Sequence, residues 1–111
     1  MIRPLEDEAQ LAAALAEPRA VIYKHSPRCG ACIASAREMV FFAEGHPEVP
    51  VYQVNVVSHR WLSDAVGRQL QVRHESPQVI LVAAGHAVWS ASHWDVRALD
   101  LEEHARRLTT A

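Results

Sequence analysis

The sequence predicts an α/β fold, a four-stranded mixed sheet flanked by helices. Three observations carry this. β-prone apolar runs at residues 20–25 and 49–57 alternate with segments whose apolar residues recur at helical spacing. Two further β-prone runs, 78–83 and 87–92, are separated only by Ala84-Gly85-His86, which reads as a hairpin. Both cysteines fall in one string, His25-Ser26-Pro27-Arg28-Cys29-Gly30-Ala31-Cys32, at the point where a strand gives way to a helix.

Taken in order, residues 5–16 place Leu5, Ala9, Ala12, Ala13 and Leu15 at helical intervals, and Pro18 closes the segment. The run 20–25 is continuously apolar at its start, as a central strand covered on both faces requires. Residues 32–44 form a second helix stopped by Gly45 and Pro47. Val51, Tyr52, Val54, Val56 and Val57 mark the second strand. After a loop at 58–61, a third helix opens at Trp61 or Ser63 and runs to Leu70, with Trp61 and His59 as structural residues at its start. Val72 to Pro77 is an extended connector, because the residue before a proline is pushed out of the helical region. The hairpin follows, and residues 97–108 form a last helix whose buried side is Leu99, Leu101, Ala105 and Leu108. The β-α-β start demands parallel pairing through a right-handed crossover. This order, with Cys-x-x-Cys after the first strand and Ser-Pro before the third, is that of a thioredoxin-like fold spanning residues 1–111 as one domain.

Composition narrows the function. Half of the 111 residues are apolar, enough for a core without staples, and the formal net charge is -2. Lys24 is the only lysine and the arginines are scattered, so no basic surface for nucleic acid is expected. No stretch has the length of a membrane span, and Glu6, Asp7 and Glu8 interrupt any leader-like apolar run. A cytoplasmic protein is expected, in which a cysteine pair is more often catalytic or metal-binding than structural.

The chemistry of the cysteine string follows from the helix end. The first N–H groups of a helix lack intrahelical partners and carry partial positive charge, which favours a thiolate. Cys29 is therefore the expected nucleophile in disulfide exchange, with Cys32, one turn in, as the resolving thiol. Arg28 adds a positive charge, while Gly30 and Ala31 leave room for an approaching disulfide. Two other readings of the pair remain: small core residues, or half of a zinc site completed by two of the seven histidines, although no histidine pair has finger spacing. Lys24 and His25, at a strand end, read as surface residues, and His93 and Trp94 as packing residues that would reach the rim of a site at most.

Three strings, Tyr23-Lys24-His25-Ser26, His74-Glu75-Ser76-Pro77-Gln78 and Trp89-Ser90-Ala91-Ser92-His93-Trp94-Asp95, together resemble the YtxJ-type bacilliredoxins, over residues 21–95. The resemblance implies a small thioredoxin-fold oxidoreductase with Cys29 as its active cysteine. It also implies a cis-proline at Pro77 beside that cysteine and a Ser76 backbone that pairs with extended substrate. It further implies bacillithiol as a co-substrate thiol, with no bound cofactor or metal, and bacillithiolated or disulfide-bonded proteins as partners. Where members of that family carry Cys-Pro-Ile-Ser, this chain has Cys29-Gly30-Ala31-Cys32, a dithiol closer to thioredoxin. It departs from thioredoxins as well, with Tyr23 in place of their buried acid and Ala31 in place of the motif proline. The alternatives are a general protein-disulfide reductase recycled by a flavin disulfide reductase, and a non-catalytic binding module on the same fold.

Overall fold

A computed structural model describes residues 1–27 and 30–109, so Arg28 and Cys29 lie outside the described residues. The strands are β1 (Ile2–Pro4), β2 (Arg19–His25), β3 (Val51–Asn55), β4 (Gln78–Ala83) and β5 (His86–Ser92). The helices are α1 (Glu8–Ala16), α2 (Gly30–Gly45), α3 (Arg60–Leu70) and α4 (Ala98–Thr109), with a 3-10 turn at His93–Asp95. The sheet has five strands in the order β1-β3-β2-β4-β5. β1 and β2 each run parallel to β3, while β4 is antiparallel to both β2 and β5.

β2 is central, and its alternation builds two cores. Ala20 and Ile22 face one way and pack with Leu11, Leu62, Val66 and Ile80, under α1 and α3. Val21 and Tyr23 face the other way and pack with Met39, Phe42, Val79 and Leu101, under α2 and α4. All of these side chains are buried. Lys24 falls on the α1/α3 face and His25 on the α2/α4 face by the same alternation.

The sheet has one strand more than the four expected. β1 is three residues long, contains an arginine and a proline, and pairs in parallel with β3 at its edge. Leu5, expected to be helical, instead donates its N–H to the Gln53 carbonyl at 2.8 Å, extending that pairing. The helix begins after Asp7, whose carboxylate accepts from the Gln10 N–H at 2.8 Å. β3 stops at Asn55 rather than 57, because the Asn55 side chain accepts from the N–H groups of Val57 and Ser58 and turns the chain. α3 opens at Arg60; His59 occupies the N-cap position without a side-chain capping bond, and Trp61 is half exposed, so neither caps this helix through its side chain. α2 starts at Gly30, before the expected 32. The hairpin turn is Ala84-Gly85, both at positive φ, so His86 belongs to β5. α4 begins at Ala98, whose N–H is capped at 2.8 Å by the Glu38 carboxylate of α2. No helix among the described residues is long and apolar enough to cross a membrane.

The end of α3 sets the position of the connector that leads to Pro77. Gln71 adopts the left-handed conformation there, and the Val72 N–H returns to the Gly67 carbonyl at 3.0 Å. A Cβ placed on Gly67 meets the Val72 carbonyl oxygen at 2.9 Å, a backbone atom that cannot swing aside. Gly67→Ala is therefore expected to destabilise the fold by about 1–3 kcal/mol, more than alanine's helix preference of up to ~1 kcal/mol returns. Urea unfolding should show a lower midpoint with an unchanged slope; a midpoint at or above wild type contradicts the close approach.

Candidate active site at the end of the central strand

Three segments meet at one edge of the sheet. β2 ends at His25 and α2 begins at Gly30, so the cysteine string joins the two. Lys24 pairs with Gln78, which places Pro77 beside the end of β2. The Ser76–Pro77 peptide is cis. The His93 N–H donates to the Pro77 carbonyl at 2.8 Å, which ties the 3-10 turn to the same loop. His93 holds a positive φ of 56°, a conformation that a histidine adopts only where its surroundings fix it.

Cys32 is 1% exposed in the first turn of α2. Beside it lies a polar chain rooted in Tyr23. The Tyr23 hydroxyl contacts the Ser35 hydroxyl, lies 3.0 Å from His25 Nδ1 and reaches the Cys32 carbonyl at 3.4 Å. Ser35 donates to the same carbonyl at 3.1 Å. One assignment of protons satisfies the chain throughout: His25 Nδ1–H to Tyr23, Tyr23 to Ser35, Ser35 to the Cys32 carbonyl. His25 Nε2 then carries the lone pair. Burial holds the His25 pKa below its usual 6.5, which agrees with a neutral ring. His25 is thus bonded to the group at the cysteine helix, where the sequence suggested a bare surface residue.

The opposite face of β2 holds a second polar cluster. Lys24 is 0% exposed, so its expected place at the surface is overturned. Its Nζ lies 3.1 Å from His74 Nδ1, and the Ser63 hydroxyl lies 3.2 Å from that same nitrogen. Removal from water lowers the Lys24 pKa from 10.5 to about 8; Asp64 offsets part of this and Arg60 adds to it. The His74 pKa is also lowered, first by burial and then by Lys24 and Arg60. A neutral His74 offers Nδ1 as an acceptor to the Lys24 ammonium, so the pair links β2 to the connector three residues before Pro77.

Of the residues picked out from the sequence, Gly30, Ala31 and Cys32 open α2 after β2, and Ser76 and Pro77 precede β4, which pairs with β2; Arg28 and Cys29 lie outside the described residues. Gly30 is exposed, and a Cβ there meets nothing within 4 Å, so its open side fits an approach from outside. Ala31 is buried at 7% exposure and packs inward instead of lining that approach. Pro77 is buried, and the Ser76 hydroxyl oxygen is buried with no hydrogen-bond partner. Sequence reasoning missed Ser35, Ser63 and His74. The available signal was strand alternation, which puts Lys24 on the face of Ala20 and Ile22, where a buried ammonium needs a polar partner from α3 or the connector.

Comparison with known proteins sets this geometry in a family. The sequence profile described as "Monothiol bacilliredoxin BrxC" matches residues 3–101. The chain belongs to the monothiol bacilliredoxin family. Its fold is the thioredoxin fold. A solved structure described as having that fold superposes with a TM-score of 0.87 at 24% identity, over 94% of this chain and 93% of the other. Thioredoxin from Trypanosoma brucei brucei follows with a TM-score of 0.80 at 16% identity, covering 100% of this chain and 93% of its own. A mutant thioredoxin from Halobacterium salinarum NRC-1 gives 0.80 at 18% identity, over 97% of this chain and 90% of its own. The family's thiol redox character agrees with the cysteine string between β2 and α2. The profile describes a monothiol protein, whereas this bacilliredoxin has a second cysteine at position 32.

The buried Lys24 makes stability depend on pH in a defined direction. Its folded pKa of about 8 lies below the unfolded 10.5, so between these values the unfolded chain holds more protons. The cost of burying the charge is fully present below pH 8 and is relieved as the pH rises toward 10.5, by up to roughly 3 kcal/mol. Urea midpoints of the wild type should therefore climb, relative to those of Lys24→Met, between about pH 8 and pH 10. Parallel profiles for the two proteins would mean that Lys24 is not held out of water.

Proposed function

We propose that this bacilliredoxin is a cytoplasmic thiol–disulfide oxidoreductase that removes bacillithiol from mixed disulfides on proteins. The Cys29 thiolate attacks the bacillithiol sulfur of a protein–bacillithiol disulfide. That S–S bond breaks, the protein sulfur leaves as a thiolate that takes up a proton, and a Cys29–bacillithiol disulfide forms. Cys32, once deprotonated, attacks Cys29 Sγ and expels bacillithiol, leaving a Cys29–Cys32 disulfide. A flavin disulfide reductase, or two further thiol molecules that leave joined as their own disulfide, then supplies the two electrons that restore both thiols. The observation that carries this reading is the Cys29-Gly30-Ala31-Cys32 string joining β2 to α2 in a chain matched to this family over residues 3–101.

The network around Cys32 supports a role for Tyr23 as a positioning residue. Thioredoxins carry a buried acid at this place, and here a phenol linked to His25 and Ser35 stands instead. Through Ser35, which donates to the Cys32 carbonyl, it fixes the helix turn from which the second thiol acts. Cys32 itself favours a second reading, a general protein-disulfide reductase indifferent to bacillithiol, because a dithiol needs no small thiol to complete its cycle.

Intact mass of the reduced Cys32→Ser variant separates the two. After exposure to bacillithiol disulfide, a single adduct on Cys29 should form faster than the adduct from glutathione disulfide under matched conditions. Equal, slow labelling by both would sink the bacillithiol assignment. In the protein with both cysteines, Tyr23→Phe should lengthen the life of the Cys29–bacillithiol adduct several-fold and leave its rate of formation unchanged. The same substitution should cost about 1 kcal/mol of stability, the worth of one hydroxyl's hydrogen bonds. An unaltered adduct lifetime would remove Tyr23 from the mechanism.

A further inference from the structure

The exchange steps use no group on the α1/α3 face of β2, yet a buried cluster on that face stands behind the Ser76–Pro77 loop. Lys24 pairs across the ladder with Gln78, the residue after Pro77. Its side chain is 0% exposed, and its Nζ ends 3.1 Å from Nδ1 of His74, two residues before Ser76. An ammonium has no lone pair, so it donates and the neutral imidazole accepts. The connector has other ties. Its Val72 N–H returns to Gly67 of α3, its Arg73 carbonyl takes the Gln78 amide, and Glu75 takes a hydrogen bond from Ser92. The Lys24 bond joins it to β2, the strand that leads into the cysteine string.

Packing does not explain a lysine here. Removal from water lowers its pKa from 10.5 to about 8, and an apolar side chain of similar length would fill the site without that cost. What a lysine adds is a charged donor on a long stem, and a hydrogen bond from an ionised donor is about twice as strong as a neutral one. Ser63 of α3, 3.2 Å from the same nitrogen, offers a neutral and weaker alternative. Packing also leaves the connector room to move. A cavity of about 320 Å³ lined by Asp64, Gly67, Arg68, Val72 and His74 borders it, so Val72 and His74 have open space on one side.

The charged groups facing the pair are Arg60 and Asp64 of α3 and Glu75 of the connector. β3 and β4 present the uncharged Val54 and Gln78 across from Lys24. An arginine stays charged, both carboxyls are held below their usual range, and His74 is held below 6.5. Between about pH 7 and about pH 9, Lys24 is therefore the member of this cluster that changes charge.

We propose that Lys24 is a positioning residue for protein substrates: through His74, its ammonium holds the Ser76 backbone at the distance from the end of β2 at which an extended substrate chain presents its disulfide to the cysteine string. The inference rests on the thiol-exchange reading and adds a condition to it. Substrates with a peptide backbone need this tie, and a small disulfide with no chain to pair does not.

Amide exchange tests the tie without any thiol chemistry. The His93 N–H, bonded to the Pro77 carbonyl, reports the loop, and the Val21 N–H, bonded to the Pro50 carbonyl, reports the far end of β2. At about pH 7, Lys24→Met should lower the protection of the His93 amide about tenfold, as the loss of a charge-assisted hydrogen bond implies, while the Val21 amide and the urea midpoint hold or rise. The wild type should show the same divergence as the pH rises from about 7 to about 9, with global stability climbing and His93 protection falling. His74→Asn, which keeps an acceptor near the place of Nδ1, should retain most of the protection. His93 protection that simply follows global stability in Lys24→Met overturns the positioning role.

The consequence for exchange is read in the Cys32→Ser background with two probes that differ only in backbone. One is a cysteine peptide joined by a disulfide to 2-mercaptoethanol, and the other is bis(2-hydroxyethyl) disulfide. In each, the Cys29 thiolate bonds to one sulfur and the other leaves as a thiolate, so loss of the probe is followed by mass. Lys24→Met should slow the peptide reaction about three- to tenfold and leave the small disulfide unchanged. Equal slowing of both, or none, overturns the proposal. A wild type inert toward both probes rejects the exchange reading itself, whatever the His93 amide shows.

Discussion

The two-residue period of β2 is the constraint on which the site depends. Tyr23 and Lys24 are neighbours in the chain, both 0% exposed, and a strand sends neighbours to opposite faces. Each carries a polar tip into an otherwise apolar layer, and each tip must be met there. Tyr23 is met by Ser35 of α2 and by His25; Lys24 is met by His74 of the connector, which also contacts Ser63 of α3. The same strand end is thereby tied to the cysteine helix on one side and to the proline connector on the other. Moving β2 by one residue would exchange these faces and strand both tips.

The second anchor is the loop around Pro77. It is held from behind by Lys24 and His74, from the side by Gln78 through the Arg73 carbonyl, and from the front by the His93 N–H. None of these ties uses the hydroxyl of Ser76 or the Oε1 of Gln78, which stay buried and unpartnered. Native proteins rarely leave such groups unmatched, and binding surfaces are where the exceptions carry meaning. The loop is tied on three sides and leaves these two oxygens unpaired.

Much of this was legible in the chain. Apolar alternation and helical spacing placed β2, β4, the hairpin and the helices, because those segments are long enough for a period to show. β1 was not legible: Ile2-Arg3-Pro4 has no period, and only its pairing with β3 makes it a strand. The limits of β3 and α4 were set by single side chains, Asn55 and Glu38, acting on backbone N–H groups, and the second of these comes from another helix. In the site, the cysteine string and Ser76-Pro77 stood out by residue type. The partners of Tyr23 and Lys24 did not, since Ser35, Ser63 and His74 are ordinary residues made important only by the faces that β2 presents to them.

The second cysteine separates this chain from the monothiol description of its family, and its burial limits what it can do. At 1% exposure, Cys32 is closed to a protein disulfide arriving from solvent. Exchange requires a thiolate with access to a sulfur in line, so a buried thiol acts only on a sulfur carried to it by its own chain. A serine here would keep a comparable small side chain inside the helix and would simply lack that step. The tyrosine-centred network contacts the backbone at position 32, not its side chain. It holds the Cys32 carbonyl and the first turn of α2 in place through side chains that need no charge, a support that does not depend on which side chain stands at position 32.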